Sequence, residues 1–265
     1  MKDFNLDKFK NLIFNFQLYS NDDTIFILKE KMGTRIFDNV YERIGLVPNR
    51  IKITFSNDGN IYTSSLHYSN KPKNETFSEF VGSKKVILLI KDPIQRLASG
   101  IYESYMHGGS SYQLYYSSLN HDDNFYITRV IYKQSSNEVL TENELSSIKK
   151  YIKSILSFCL IDYYPISDNH FQKYHKPLKD LFEQKNITLS ETYTTDEFFT
   201  DDIANNKFLF NYNFNDKSKS WIGKKNIVIE SLRELISESE SFSKMYNTYM
   251  DDEKSSYEYF LKLNG

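Results

Sequence analysis

Two short apolar runs, Thr24–Leu28 (TIFIL) and Val86–Ile90 (VILLI), restrict the fold of this chain more than any other feature. A strand with one wetted face alternates apolar and polar side chains. A run that is apolar at nearly every position suits a strand buried on both faces, as in a parallel sheet covered by helices. Each run gives way to a punctuated turn and then to a helical pattern. Ile51–Phe55 and Ile187–Tyr193 are further strand candidates. Helical patterns cover Thr34–Arg43, Glu75–Val81, Pro93–Met106, Glu142–Leu160, Phe171–Gln184 and Thr195–Asn205, and helix resumes from about Ile227. Thr141 followed by Glu144 reads as a capping box that opens the long middle helix. Alternation of this kind predicts an α/β fold with a parallel sheet flanked by helices.

The 265 residues allow one large domain or two small ones, and no Pro/Gly-rich linker divides them, so a single domain over 1–265 is expected. A formal net charge of −2 speaks against a general grip on nucleic-acid phosphates, though a local basic pocket stays open. The lone Cys159 excludes an internal disulfide framework and a cysteine-rich zinc site, and within SILSFCLI it reads as a buried thiol. The N-terminal MKDFNLDKFKNLIFNFQ mixes charge with apolar residues, unlike a signal peptide. Its Leu6, Phe9, Leu12, Ile13 and Phe16 suit an amphipathic helix. No run approaches the roughly 18 apolar residues that span a bilayer. The expectation is a cytoplasmic protein with no membrane or nucleic-acid partner.

The first apolar run ends in Lys31-Met32-Gly33-Thr34-Arg35. Ligands of α/β sheets gather at the carboxyl ends of strands, where the N–H groups of following helices point outward. Gly33 would admit an anion close to the backbone, the N–H groups of Gly33, Thr34 and Arg35 could donate to it, and Lys31 adds a full charge. The turn reads either as a phosphate cradle or as a glycine turn with solvated lysines. It is not a Walker A loop, because the leading Gly and the Lys between Gly33 and Thr34 are missing.

The second run leads into Lys91-Asp92-Pro93, with Asp92 placed to cap the next helix and Pro93 at its first position. Lys91-Asp92-Pro93-x-x-Arg96-x-x-Ser99 resembles the 3′-phosphate-binding motif of sulfotransferases, R-[DN]-P-x-x-R-x-x-S. Lys31 to Arg35 is similar to the 5′-phosphosulfate loop of that family, closest in its K-x-G-T-R form to the branch acting on glycans such as heparan. The resemblance covers residues 24–43 and 84–105 and is faint elsewhere.

It implies a P-loop-like sheet of sulfotransferase type with a helical C-terminal part, and 3′-phosphoadenosine 5′-phosphosulfate as sulfuryl donor, without a metal. Lys31, Gly33, Thr34 and Arg35 would hold the 5′-phosphosulfate, with Lys31 stabilising the leaving oxygen. Lys91 and Ser99 would hold the 3′-phosphate, and Arg96 would brace the turn. Lys91 stands where the family has Arg, exchanging a bidentate fork for a point charge. The implied acceptor is a hydroxyl, on a glycan by the same likeness.

An acceptor alcohol gains from a general base. His67, between the two motifs, is the first candidate, with a surface histidine as the rival reading; Glu42 and Glu103 come second. His107 and His121 flank the polar, aromatic segment 107–124, which reads as a lid or as a plain surface loop. His170 and His175 are spaced i,i+5, too far around a helix to pair on a metal, and read as solvated or capping. Residues 215–226 gather lysines around Trp221. They read either as a lid whose Lys217 or Lys219 closes on the nucleotide, or as a solvated basic loop. A P-loop kinase of a nucleotide or small alcohol, and a catalytically silent nucleotide-binding protein, are the alternatives to a sulfotransferase.

Overall fold

The computed structural model describes residues 12–29, 32–55, 61–68, 72–107, 139–147, 149–150, 173–200, 203–213 and 228–263, some of them by backbone alone. Its elements are β1 (Leu12–Ser20), β2 (Thr24–Leu28), α1 (Thr34–Val40), β3 (Val47–Phe55), β4 (Ile61–Tyr68), β5 (Pro72–Thr76), α2 (Phe77–Val81), β6 (Lys85–Ile90), α3 (Pro93–His107), α4 (His175–Lys185), β7 (Glu191–Thr194), α5 (Thr195–Thr200), α6 (Ile203–Asn206) and α7 (Glu240–Lys262). Residues 142–147 and 228–238 are also helical. Contacts divide the chain into two compact units. The first comprises Met1–Pro93, Pro165–Phe214 and Asp251–Gly265; the second comprises Ile94–Tyr164 and Asn215–Met250.

The first unit is an α/β arrangement around a seven-stranded sheet of order β5-β4-β3-β1-β2-β6-β7. Only β2, β6 and β7 run parallel to one another. The wing formed by β1, β3, β4 and β5 is antiparallel, so the sheet is mixed rather than purely parallel. Short connections reverse the chain between β1 and β2, β3 and β4, and β4 and β5, whereas the parallel neighbours β2, β6 and β7 are joined by longer crossovers. Between β1 and β2 the reversal is built by Asn21, whose side-chain oxygen accepts from the N–H groups of Asp23 (3.0 Å) and Thr24 (2.9 Å).

The amphipathic helix expected at the N-terminus gives way to a strand where the chain is described. Leu12, Ile13 and Phe16 lie in β1, which pairs with β2 on one side and β3 on the other. Leu6 and Phe9 lie outside the described residues. The strand wins because ladder hydrogen bonds on both edges satisfy its backbone while Phe16, Leu18 and Tyr19 are buried.

Both diagnostic runs behave as their composition predicts. Ile25–Leu28 and Val86–Ile90 are buried at every position. Submerging the five side chains of β6 is worth roughly 10 kcal/mol of gross transfer free energy, before the entropy of ordering the chain is set against it. On one face, Tyr19 and its register partner Phe26 meet Phe37 of α1 at ring-centroid distances of 4.8 and 5.3 Å. Phe198 of α5 and Phe210 join the same aromatic cluster. Phe16 is three residues from Tyr19 and so belongs to the opposite face. There it meets Tyr174, at the start of α4 (5.7 Å).

In the second unit, Leu97 and Ala98 of α3 are buried. Val228, Leu232 and Leu235 recur at helical spacing, as do Phe242, Tyr246 and Met250 of α7. The Thr141–Glu144 capping box forms as expected: Glu144 Oε2 accepts from Thr141 N (2.7 Å) and Oγ1 (2.9 Å), and Glu144 N donates to Thr141 Oγ1 (3.4 Å). Among the described residues, no helix is long and apolar enough to cross a membrane.

Candidate functional site

The three parallel strands of the first unit end at one edge of the sheet, each running towards a helix. The register Ile27↔Leu88 sets the end of β2 beside the end of β6, and Leu89↔Tyr193 sets β7 on the far side of β6. Both sequence motifs therefore follow neighbouring strands, one interstrand step of about 4.8 Å apart.

After β2 comes Lys29, which is 1% exposed. Its Nζ donates to the carbonyl of Asn15 (2.9 Å) and stands 5.1 Å from the centroid of the Phe16 ring. Lys31, the charge expected at the turn, lies outside the described residues. Met32 N donates to the Lys29 carbonyl (3.1 Å), which tightens the turn. Gly33 then takes φ +91°, a left-handed conformation, and its carbonyl accepts from Ile36 N (2.8 Å) and Phe37 N (3.2 Å) to start α1. A Cβ at Gly33 would run into the ring of Phe199, which would have to shift, so contact adds to φ in favouring glycine. Thr34 is half-buried and Arg35 exposed. Gly33, as N-cap, has no side chain with which to cap α1, and the first turn of the helix carries no carboxylate.

Helices α2, α5 and α4 differ at this point. Glu79 and Thr76 form a reciprocal box on α2. Glu197 and Thr194 do the same on α5 at 2.8–3.1 Å. On α4, Glu253 of α7 accepts from the N–H groups of Tyr174 (2.8 Å), His175 (3.0 Å) and Lys176 (3.1 Å). Each of these carboxylates meets the positive end of its helix, whereas the first turn of α1 carries none of its own.

After β6, Lys91 and Asp92 are half-buried and Pro93 begins α3. Arg96 (5% exposed) and Ser99 (3% exposed) belong to the second unit, in the following turns of that helix. Ser99 Oγ donates to the Gln95 carbonyl (2.8 Å), so its proton is engaged by its own helix.

His67 lies in β4, opposite Arg50 of β3. Strand order puts β1 and β3 between it and β2, three interstrand steps or roughly 14 Å. Glu42 is exposed at the opposite end of α1 from Gly33, accepting from Tyr41 Oη (3.0 Å). Glu103 and His107 are in α3. His121, His170, Lys217, Lys219, Trp221 and Cys159 lie outside the described residues. His175 is buried, its Nδ1 2.9 Å from Glu253 Oε1.

Two tyrosines that no motif signalled join this edge. Burial, followed by the charges of Asp92, Asp196 and Glu197, pushes the Tyr257 hydroxyl up from its ordinary pKa. Tyr174 reaches the strand ends with its hydroxyl, 2.6 Å from the Leu89 carbonyl and 3.1 Å from that of Ile27. Among the described residues, no group of His, Cys, Asp and Glu could hold a metal ion. Comparison with family models, with curated proteins and with solved structures returns no match.

Proposed function

We propose that the chain is a sulfotransferase, moving a sulfuryl group from 3′-phosphoadenosine 5′-phosphosulfate to an acceptor hydroxyl, on a carbohydrate by the K-x-G-T-R likeness. One observation carries the reading: the K-x-G-T-R turn and the K-D-P-x-x-R-x-x-S segment leave adjacent parallel strands at the same edge of the sheet. Two anion loops so placed suit a ligand with a phosphate at each end. The first turn of α1, which carries no acidic residue, suits the more highly charged end.

In this reading Lys31, Gly33, Thr34 and Arg35 hold the 5′-phosphosulfate. Lys91 and Ser99 hold the 3′-phosphate, Arg96 braces the second turn, and Lys217 closes on the nucleotide. The acceptor oxygen forms a bond to sulfur as the bond from sulfur to the bridging oxygen of the 5′-phosphate breaks. The acceptor proton passes to a base, for which His67 is the candidate. The charge gathering on the departing oxygen is met by Lys31, so the work is positioning and electrostatic stabilisation.

Thermal unfolding with 3′-phosphoadenosine 5′-phosphate tests the assignment. Saturating nucleotide is expected to raise Tm, at about 100 times Kd by the equivalent of roughly 2.7 kcal/mol. Lys31→Ala is expected to abolish transfer. No shift and no binding at millimolar nucleotide would remove the assignment, and a shift with Mg²⁺-ATP alone would favour a kinase.

A further inference from the structure

Tyr174 belongs to neither anion motif, yet it touches both strands that carry them. Its side chain is fully buried. Its hydroxyl proton is shared between the carbonyls of Leu89 (2.6 Å) and Ile27 (3.1 Å), each the penultimate residue of its strand. The backbone from which this side chain reaches down is itself fixed. Glu253, 3% exposed on α7, receives the N–H groups of residues 174, 175 and 176 and faces His175 Nδ1. A hydroxyl anchored this way clamps two strand ends where the ladder between them runs out.

We infer that Tyr174 is a positioning residue: its hydroxyl sets the spacing between the turn at Gly33 and the turn at Lys91, and so the distance between the two phosphate sites, with Glu253 as its anchor. The inference rests on the sulfotransferase reading. Spacing matters only to a ligand that engages both turns. A nucleotide with one phosphate settles in either turn alone and is indifferent to their separation.

Titration calorimetry on the full chain and on Tyr174→Phe separates this role from a merely structural one. The probes are adenosine 3′,5′-bisphosphate, adenosine 5′-monophosphate and adenosine 3′-monophosphate. The variant is expected to bind the bisphosphate about tenfold more weakly, on the scale of one hydrogen bond to a well-placed partner. Each monophosphate is expected to keep its affinity within about twofold. Equal losses for all three ligands, or no loss for any, overturn the inference while leaving the function standing. If the unsubstituted protein binds none of the three at millimolar concentration, the function fails and the inference with it. Hydrogen exchange in the nucleotide-free protein gives a second readout: Tyr174→Phe is expected to speed exchange of the Leu28, Lys29 and Ile90 amides, and unchanged rates overturn the clamp. Should that variant not fold, Glu253→Gln, which weakens the anchor and leaves the hydroxyl in place, is expected to show the same selective loss, and its absence overturns the inference.

Discussion

Gly33 carries two independent demands, a left-handed φ and a neighbouring ring, and they can be separated by mutation. In Gly33→Ala the conformation costs about 1–2 kcal/mol and the overlap with Phe199 adds a similar amount. Denaturant unfolding is expected to show a loss of about 2–4 kcal/mol. In a Phe199→Leu background the same substitution should cost at least about 0.5 kcal/mol less, because the narrower side chain can withdraw. Strict additivity would mean that the ring is not the obstacle. Nothing in the K-x-G-T-R pattern foretells the ring, since Phe199 lies far along the chain and meets the glycine only once α5 is in place.

Also at the scale of single residues, Glu191, Tyr193 and Lys207 form a small network at the edge strand. Lys207 Nζ stands 2.8 Å from Glu191 Oε2 and 2.9 Å from Tyr193 Oη. Burial raises Glu191, but hydrogen bonds from Lys207 and Tyr193, with the Lys207 and Lys85 charges, outweigh it and hold the carboxyl below its ordinary pKa. Lys207 is pushed up, first by its bond to Glu191 and then by Tyr193. A depressed carboxyl contributes stability above its unfolded pKa and loses it as pH falls through the folded value. A raised ammonium contributes below its unfolded pKa and loses it as pH rises through the folded one. The network therefore stabilises around neutrality and fades at both extremes. The Lys207 side chain is 48% exposed, so solvent screens the pair to less than about 1 kcal/mol. Lys207→Met is expected to lower Tm slightly at pH 7 and by less at strongly acid pH, as Glu191 is protonated below its depressed pKa. An equal Tm deficit at both pH values would assign the effect to packing on Tyr193 and Phe208 instead.

Among the elements, helix starts were the most legible. The rule that placed a capping box at Thr141 and Glu144 applies unchanged to Thr76/Glu79 and Thr194/Glu197, because each needs only Thr and Glu three residues apart. The cap on α4 could not be read in the same way. Its carboxylate comes from Glu253, 79 residues from Tyr174. Removing a local cap should be mild: Thr194→Ala is expected to cost about 1 kcal/mol. Glu253→Ala strands three N–H groups, two of them buried, and a histidine ring, and about 3 kcal/mol is expected. Equilibrium unfolding that ranked the two the other way would deny α4 its distant cap.

Across the molecule, legibility followed burial. β2 and β6 lie between covered faces, and their unbroken apolar runs announced them. β4 and β5, IYTSSLHY and PKNET, carry little apolar signal and went unread, since their pairing draws on backbone groups available to any sequence. Their absence from the sequence reading left a parallel sheet where the molecule has an antiparallel wing. β7 was displaced for the opposite reason. Ile187 and Leu189 drew the strand towards the N-terminus, but they pack on the core from the turn that precedes Glu191. That the turns at Gly33 and Lys91 follow neighbouring strands was legible in the order of the motifs, and the pairing of β2 with β6 agrees with it. Tyr174 had no such signal, because one tyrosine among 21 differs from the rest only in what folding brings to its hydroxyl.

The two outermost strands of the sheet are short. β5 has five residues and opens with Pro72, which has no N–H to lend; β7 has four and turns at once into α5. Growth by adding a strand requires a long row of unsatisfied donors and acceptors, and neither margin supplies one. Among the described residues, both margins of the sheet thus offer little template for a further strand.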